Sequence, residues 1–464
     1  MWYAASFANA LWPLYSRRIM SIRDQFEAGF VSKSDCLVKY QATAEPLSIE
    51  VHSSVQSLFG NAIRTCAMQM LEEFKVTTGA LLVDDDGALD LVIRARIEAV
   101  LRSAGYLSQK RLFVDASSGI SWQTGVSTIE SEKNASRAEN SASLDGGIER
   151  PVCSLVKQQA RLYMPGDQPH FAINADFYGA DILIFDLEDS VPLARKFEAR
   201  ILVRRFLENS FLFRKSERAV RINPLSTEES VHDIAEIVPA MPDIILLPKC
   251  ESAMDVERLD TLLTANEEEY GLVPGSIRIM PIIESAKGVL AAYEIARASQ
   301  RNSALCFGYE DFSRDIQSKP DIVKVAHVQD DGSQKVNIQL NPVSYIDSLL
   351  ARQIIILASR AADIEPLDSS YSDIENTEGL LNSCYEARAL GFTGKSVIHP
   401  TRIPYVKKAF LPSDEEVQQA KAVIAAYEES LKAGKGAVAI DGQMIDIPVV
   451  EKARRIIEES MHAE

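Results

Sequence analysis

Apolar positions along the chain fall into two periodic regimes separated by a polar stretch. In the first, Val55, Leu58, Phe59, Ala62, Ile63, Cys66 and Met70 recur at helical spacing, the pattern that turns one face of a helix toward a core. Ser53, three residues before Gln56, predicts a capping box at its start. A short strand is predicted over Ala80 to Val83, ending in the acidic turn Asp84-Asp85-Asp86-Gly87. That turn lacks the twelve-residue ligand spacing closed by a Glu, so a solvated turn is expected there and not a calcium loop. Leu89, Val92, Ile93, Ile97, Val100 and Leu101 repeat the helical period, with Asp90 placed to pair with Arg94 one turn later. Together these make a small α+β module.

The second regime begins after residue 150. Short apolar runs alternate with amphipathic stretches: RLYMP from 161, DILIFDLED from 181, RAVRINP from 218, DIILLPK from 243, IRIMPIIES from 277, ALCFGYED from 304, a run near 364 to 371, and KSVIHP from 395. Continuous Ile/Leu/Val strands separated by helices predict a parallel sheet covered on its outer face. Eight such units predict an α/β fold closed as a (β/α)8 TIM barrel, with an open doubly wound sheet as the alternative.

Between the regimes, eight serines fall between Ser117 and Ser143 with almost no large apolar residue, a composition that buries too little surface to order itself. The expected organisation is therefore an extension over 1–24, a small domain over 25–110, a flexible Ser-rich linker over 111–152, and a barrel with a C-terminal helical segment over 153–464. The extension holds Trp2 and Trp12 but no basic leader before its apolar residues, so a poorly structured segment is expected there and not a signal peptide.

Charge and composition narrow the chemistry. Acidic side chains outnumber basic ones 66 to 49, a formal charge of -17, which repels nucleic acid and anionic membranes. An anionic substrate must then meet a local cation. No apolar run is long enough to span a bilayer. The six cysteines are scattered without a paired motif, as in a reducing cytoplasm. The six histidines show no metal-ligand spacing, so a metal would be a hard cation held by carboxylates.

In a barrel the reacting groups stand at the C-terminal ends of strands. Several runs here finish in charge: Asp186, Glu188 and Asp189, then Arg221, Lys249, Glu284, and Glu310 with Asp311. Each alone reads as an ion-pair partner, but their convergence on one rim would be a site. Glu284 and Asp311, from neighbouring strands, are the expected Mg²⁺ ligands, and Arg221 offers a planar fork for a carboxylate. Schiff-base chemistry through Lys249 is the alternative, disfavoured because nearby carboxylates keep the amine charged.

The blocks RLYMPGD, FDLEDSVPLARKFEAR, VRIN, LLPKCES, PIIESAKG, FGYED, GFTGKSVIHP and DGQMIDIP, in this order, resemble the citrate lyase beta subunit and its HpcH/HpaI aldolase relatives. Residues 28 to 104, with SSVQSLFGNAIR and VDDDGALDLVIRARIEAVL, resemble the citrate lyase acyl carrier protein, the gamma subunit. The resemblance implies Mg²⁺ on Glu284 and Asp311, a catalytic set of Arg221, Asp446 and Glu188, and substrate binding by Arg221, Lys249 and Asp189. Asp446 matches an aspartate that in relatives reaches a neighbouring subunit's site, implying a homo-oligomer, with a trimer the expected form, beside an alpha (CoA-transferase) partner. The implied reaction is retro-Claisen cleavage of a 3-hydroxy-acyl thioester, with citryl-carrier giving oxaloacetate and acetyl-carrier. The alternatives are a lyase for free malyl-CoA or citramalyl-CoA with a vestigial carrier module, and a non-catalytic scaffold for lyase subunits.

Three departures from the family pattern stand out. Lys33 occupies the carrier's modified-serine position, so Ser34, or second Ser32, is the expected attachment point for a phosphoribosyl-dephospho-CoA arm. Gln159 replaces a family arginine, with Arg161 two positions on, and residues 317–345 are longer than the family loop and suggest an altered lid.

Overall fold

The computed structural model describes residues 25–107, 159–319, 324–329, 337–342, 347–432, 438–440 and 443–461. The extension over 1–24 and the Ser-rich stretch over 111–152 lie outside them.

The small module is a four-stranded sheet of order β1-β2-β4-β3, with β1 (Gln25–Ala28), β2 (Cys36–Pro46), β3 (Ser48–Ser53) and β4 (Thr78–Asp85). Alternation sets its inner face: Cys36, Val38, Tyr40, Leu81 and Val83 are buried, every second residue along β2 and β4. The parallel pair β3 and β4 is joined by the helix Gln56–Glu73, and the helix Asp90–Ser103 follows β4.

Three local expectations are corrected. Ser53 does not cap the helix, whose N-cap is Val55 with no side-chain hydrogen bond. It ends β3 instead and donates to Asp85 Oδ2 at 2.6 Å. Asp85 is not part of a solvated turn: it is buried and accepts from the N–H groups of Gly87 and Ala88, folding the turn around its own carboxylate. Leu58 and Phe59 carry the helical period but face outward, because Ile63, Cys66, Ala67 and Met70 already fill the contact with the sheet.

Eight parallel strands close the barrel in the order β5-β6-β7-β8-β9-β10-β13-β14. They are β5 (Ala160–Pro165), β6 (Ile182–Asp186), β7 (Glu217–Arg221), β8 (Ile244–Leu247), β9 (Arg278–Ile283), β10 (Ala304–Phe307), β13 (Glu365–Asp368) and β14 (Gly394–Val397). β14 pairs with β5, so the sheet has no free edge and the open doubly wound alternative is excluded. Ile182, Ile184, Ile244, Leu246, Met280 and Leu367 fill the bore, while a second apolar layer joins the strands to the outer helices. Continuous burial follows from this two-sided covering.

Within 317–345, β11 (Lys324–Gln329) and β12 (Asn337–Pro342) form an antiparallel pair. The residues between and beside these two strands, 320–323, 330–336 and 343–346, lie outside the described set. Beyond the barrel come the helix Asp414–Lys432, the short pair β15 (Val438–Ile440) and β16 (Gln443–Ile445), and the helix Ile447–Met461. Among the described residues no helix is long and apolar enough to cross a membrane. The small module packs through its helix Asp90–Ser103 on the barrel helix Lys196–Glu208.

Candidate active site at the barrel mouth

Strand β6 delivers Asp186 to the C-terminal end of the barrel, and the chain then turns around that side chain. The N–H groups of Glu188 and Ser190 donate to its two oxygens, while Arg221, at the end of adjacent β7, grips it with Nε and Nη2, each at 2.7 Å. Burial works against the Asp186 charge, but the Arg221 guanidinium and these donors outweigh it and hold the carboxyl below its usual range. Tyr163, from β5, lies beneath the guanidinium at 5.1 Å.

The same guanidinium continues the chain of charge. Arg221 Nη1 is 2.9 Å from Glu188 Oε2, a buried oxygen that makes no aligned hydrogen bond. Glu188 Oε1 accepts from Lys249 Nζ at 2.6 Å. Burial pushes the Glu188 carboxyl up, with Arg221 and Lys249 pulling it back. The Lys249 ammonium loses some stability to desolvation but is held charged by Glu188 and Asp189, which disfavours Schiff-base chemistry at this amine.

Lys249 follows β8 with φ of +51°, a left-handed conformation that costs a residue with a Cβ about 1–2 kcal/mol. The turn aims its N–H at Glu284 Oε1, 2.6 Å away. Glu284, just past β9, is 6% exposed. Burial, reinforced by the Glu188 and Asp311 carboxylates, pushes its pKa up to about 8. Asp311 stands in the first turn of the helix Tyr309–Asp315 and pairs with Arg314, and its charge is felt at both Glu284 and Lys249. Asp189 is more exposed, 3.7 Å from Lys249 Nζ.

These groups suit a hard cation. Glu284 is a buried carboxyl facing two further carboxylates, a concentration of negative charge that a divalent ion would relieve. Among the described residues no three His, Cys, Asp or Glu side chains form a ready-made metal cluster. Mg²⁺ needs only one or two carboxylates, because water and substrate oxygens complete its octahedron. Glu284 and Asp311, whose charges are felt by each other, are carboxylates that could hold it.

Two contributors were not singled out from sequence. Lys196 donates to the carbonyls of Leu187 and Glu188, fixing the β6 loop. Gly308 leaves room for the Glu284 carboxylate, since a Cβ there would lie 2.6 Å from Glu284 Oε2. The glycine in FGYED was the available signal. Gly308→Ala should therefore displace Glu284, weaken Mg²⁺ binding by about tenfold or more and lower stability by about 1–3 kcal/mol. Calorimetric Mg²⁺ titration beside thermal unfolding checks this, and unchanged affinity would separate Gly308 from the site.

The remaining expected residues lie elsewhere. Asp446 stands between β16 and the helix Ile447–Met461, where its Oδ1 accepts from the Val449 N–H at 3.4 Å. This helix packs on Asp414–Lys432 around Tyr427, Ile445 and Val450, a core separate from the barrel's. Ser32 and Lys33 are exposed and Ser34 is half-buried with φ of +64°, all in the loop between β1 and β2. Arg161 does not take over at the surface from the buried Gln159: it enters the bore and donates to Cys306 Sγ, the Asp368 carbonyl and Ser396 Oγ.

Residues 159–400 match the family model described as HpcH/HpaI aldolase/citrate lyase, and residues 23–104 match the one described as malonate decarboxylase delta subunit (MdcD). The chain is 37% identical over 300 residues to citrate lyase subunit beta of Leuconostoc mesenteroides subsp. cremoris, covering 65% of this chain and 92% of that protein. It is 29% identical over 332 residues to the mitochondrial citramalyl-CoA lyase of Rattus norvegicus, covering 68% and 91%. A solved structure of Mycobacterium tuberculosis CitE in complex with magnesium, acetoacetate and coenzyme A is similar at a TM-score of 0.52 and 28% identity, covering 66% of this chain and 98% of that one.

Proposed function

The chain belongs to the HpcH/HpaI aldolase/citrate lyase family, and from that premise we propose that it is a Mg²⁺-dependent carbon–carbon lyase acting on a 3-hydroxy-acyl thioester. Its substrate is a citryl thioester carried on the small module, cleaved to oxaloacetate and an acetyl thioester. The observation that carries this reading is the unbroken run Asp186, Arg221, Glu188, Lys249, Glu284 across four adjacent strand ends. It supplies a cation fork, a buried carboxyl and a charged amine in one place.

In the cleavage the hydroxyl proton leaves, the carbon–carbon electron pair moves to the acetyl thioester as an enolate, and a proton returns to that carbon. Mg²⁺, when bound by Glu284 and Asp311, supplies Lewis-acid polarisation of the oxoacid oxygens. Arg221 has five N–H donors. Its Nε and one Nη2 donor face Asp186, and Nη1 lies 2.9 Å from Glu188 Oε2 without an aligned hydrogen bond, so the remaining terminal donors are the ones that meet a substrate carboxylate or the enolate oxygen. Because Asp186 and Tyr163 fix the guanidinium beforehand, little reorganisation is needed as charge develops. Lys249 and Asp189 orient the substrate's remaining oxygens, and Glu188 tunes both cations. Asp446 returns the proton from a neighbouring subunit, which requires a homo-oligomer, and a trimer is the form proposed. An alpha CoA-transferase partner and a cytoplasmic setting belong to the same reading.

The domain organisation proposed is a carrier over 25–110 and a lyase over 153–464, with a phosphoribosyl-dephospho-CoA arm on Ser34 or else Ser32. Lys33, exposed at the family's serine position, favours a second reading in which free citramalyl-CoA or malyl-CoA is cleaved and the module carries nothing. The test is cleavage of citryl, citramalyl and malyl thioesters by the purified chain with and without Mg²⁺, beside intact-mass analysis of protein from its native host. Oxaloacetate release only with Mg²⁺, and an adduct within residues 28–36, are expected. Absence of that adduct with brisk turnover of a free CoA ester would establish the second reading, and no lyase activity on any ester would leave only a scaffold.

A further inference from the structure

The helix Asp90–Ser103 is buried on two faces. Val92, Ile93, Ile97, Val100 and Leu101 are buried, and the helix packs against the module's other helix and its strands β1 and β2. A single sheet with two helices covers one helical face, and the other would be solvated in a module standing alone. Here Ala95, Glu98 and Ala99 are buried as well, and with Arg102 they follow the spacing i, i+3, i+4, i+7. The small residues bring this face close to the barrel helix Lys196–Glu208.

Charges interlock along that seam. Glu98 accepts from Arg204 Nη2 at 2.5 Å and from Arg205 Nη2 at 2.6 Å. Arg102 Nη1 reaches both oxygens of Glu236, at 2.9 and 3.0 Å, and its guanidinium lies over the Phe197 ring at 5.2 Å. Arg96, with a fully buried side chain, joins the module's own Asp35 to Glu198 of the barrel at 3.1 Å and donates to the Asp167 carbonyl at 2.8 Å. Buried ion pairs add little net stability but tolerate only one registry, since any shift strands a charge.

The registry places the β1–β2 loop at the mouth end of the barrel. Gly29 N–H donates to Glu198 Oε2 at 2.8 Å, and the Phe30 ring lies 3.8 Å from the Arg195 guanidinium. Asp167 follows β5, and Arg195 and Glu198 follow β6, so these contacts lie at the same end of the barrel as Asp186 and Arg221. Lys196, next to Arg195, is tied to the Glu188 carbonyl.

We propose that the small module is held in a fixed dock on the barrel and does not swing, so that its 29–35 loop stays at the rim of the mouth. A thioester attached there would reach Glu284 by motion of its arm alone, and this consequence rests on reading the module as an acyl carrier.

The test is a pulsed electron–electron distance measurement on the full chain, co-assembled with an excess of unlabelled chain so that only label pairs within one protomer report, with Cys153 replaced by Ser and spin labels at Lys33→Cys and Met254→Cys. Met254 is an exposed barrel residue, and the five described cysteines are buried. One narrow distance is expected, broadening in Glu98→Arg and, should that variant misfold, in the milder pair Arg102→Ala with Arg205→Ala. A broad distribution in the unaltered seam overturns the dock. A narrow one that survives both seam variants overturns the charged seam as its cause. The measurement needs no prosthetic arm, so its outcome is independent of whether intact mass finds one.

Discussion

Glu284→Gln is expected to reduce Mg²⁺-dependent thioester cleavage by about 10²–10³-fold or more while leaving the protein as stable as before, or more so. The two effects have one origin. Glu284 is buried, and burial together with Glu188 and Asp311 raises its pKa to about 8, so an ionised carboxylate there costs folding free energy without a cation. Glutamine keeps the shape and can still accept from the Lys249 N–H, as Oε1 does at 2.6 Å, but it removes the charge that would hold the ion. Oxaloacetate release in a coupled assay, calorimetric Mg²⁺ binding and thermal unfolding read the three quantities separately. Unchanged activity would eliminate the proposed metal site. Lost activity with a large fall in unfolding temperature would mean that the glutamate serves the fold instead.

Arg221→Met should do the reverse and damage both activity and stability. It removes the substrate fork, for which about 10²–10³-fold in turnover is expected. It also leaves Asp186, 2% exposed, as an uncompensated buried charge, at about 3–5 kcal/mol. Arg221→Lys should fall between, because an ammonium keeps the charge but cannot match the paired 2.7 Å contacts. The stability loss has a definite pH dependence. Arg221 holds the Asp186 pKa below its unfolded value, so the pair stabilises the fold above about pH 4 and that stability fades as pH falls through the lower folded pKa. The gap in unfolding temperature between wild type and Arg221→Met should be widest near neutrality and narrow in acid. A constant gap would mean that lost packing on Tyr163, not the stranded carboxylate, is responsible.

Much of the barrel was legible because each strand announces itself locally. Runs such as DILIFD and RIMPII are apolar on both faces, and the charge that ends them marks where the chain leaves the core. The errors share a cause of the opposite kind. Leu58 and Phe59 fit the helical period of Gln56–Glu73 yet stay exposed, since periodicity reports which residues could share a face and not how wide a contact the partner offers. Asp85 resembled its neighbours Asp84 and Asp86, but only the folded turn brings Ser53, Gly87 and Ala88 to its carboxylate. Nothing local marked Arg96, Glu98 and Arg102, because their barrel partners Glu198, Arg204 and Glu236 lie a hundred or more residues away.

By itself, then, the sequence determined the eight barrel strands and the polar residues at their ends, which follow from local periodicity and from where each apolar run stops. Tertiary structure alone decided which charges meet. Arg221 could have paired with any of several carboxylates, and closing the β6–β7 register gave it Asp186. The left-handed turn at Lys249 brought Glu284 under its N–H, and the second face of Asp90–Ser103 found its counter-charges on the barrel. Burial preference is written residue by residue along the chain, whereas electrostatic pairing falls off within a few ångströms and exists only once distant segments share a surface.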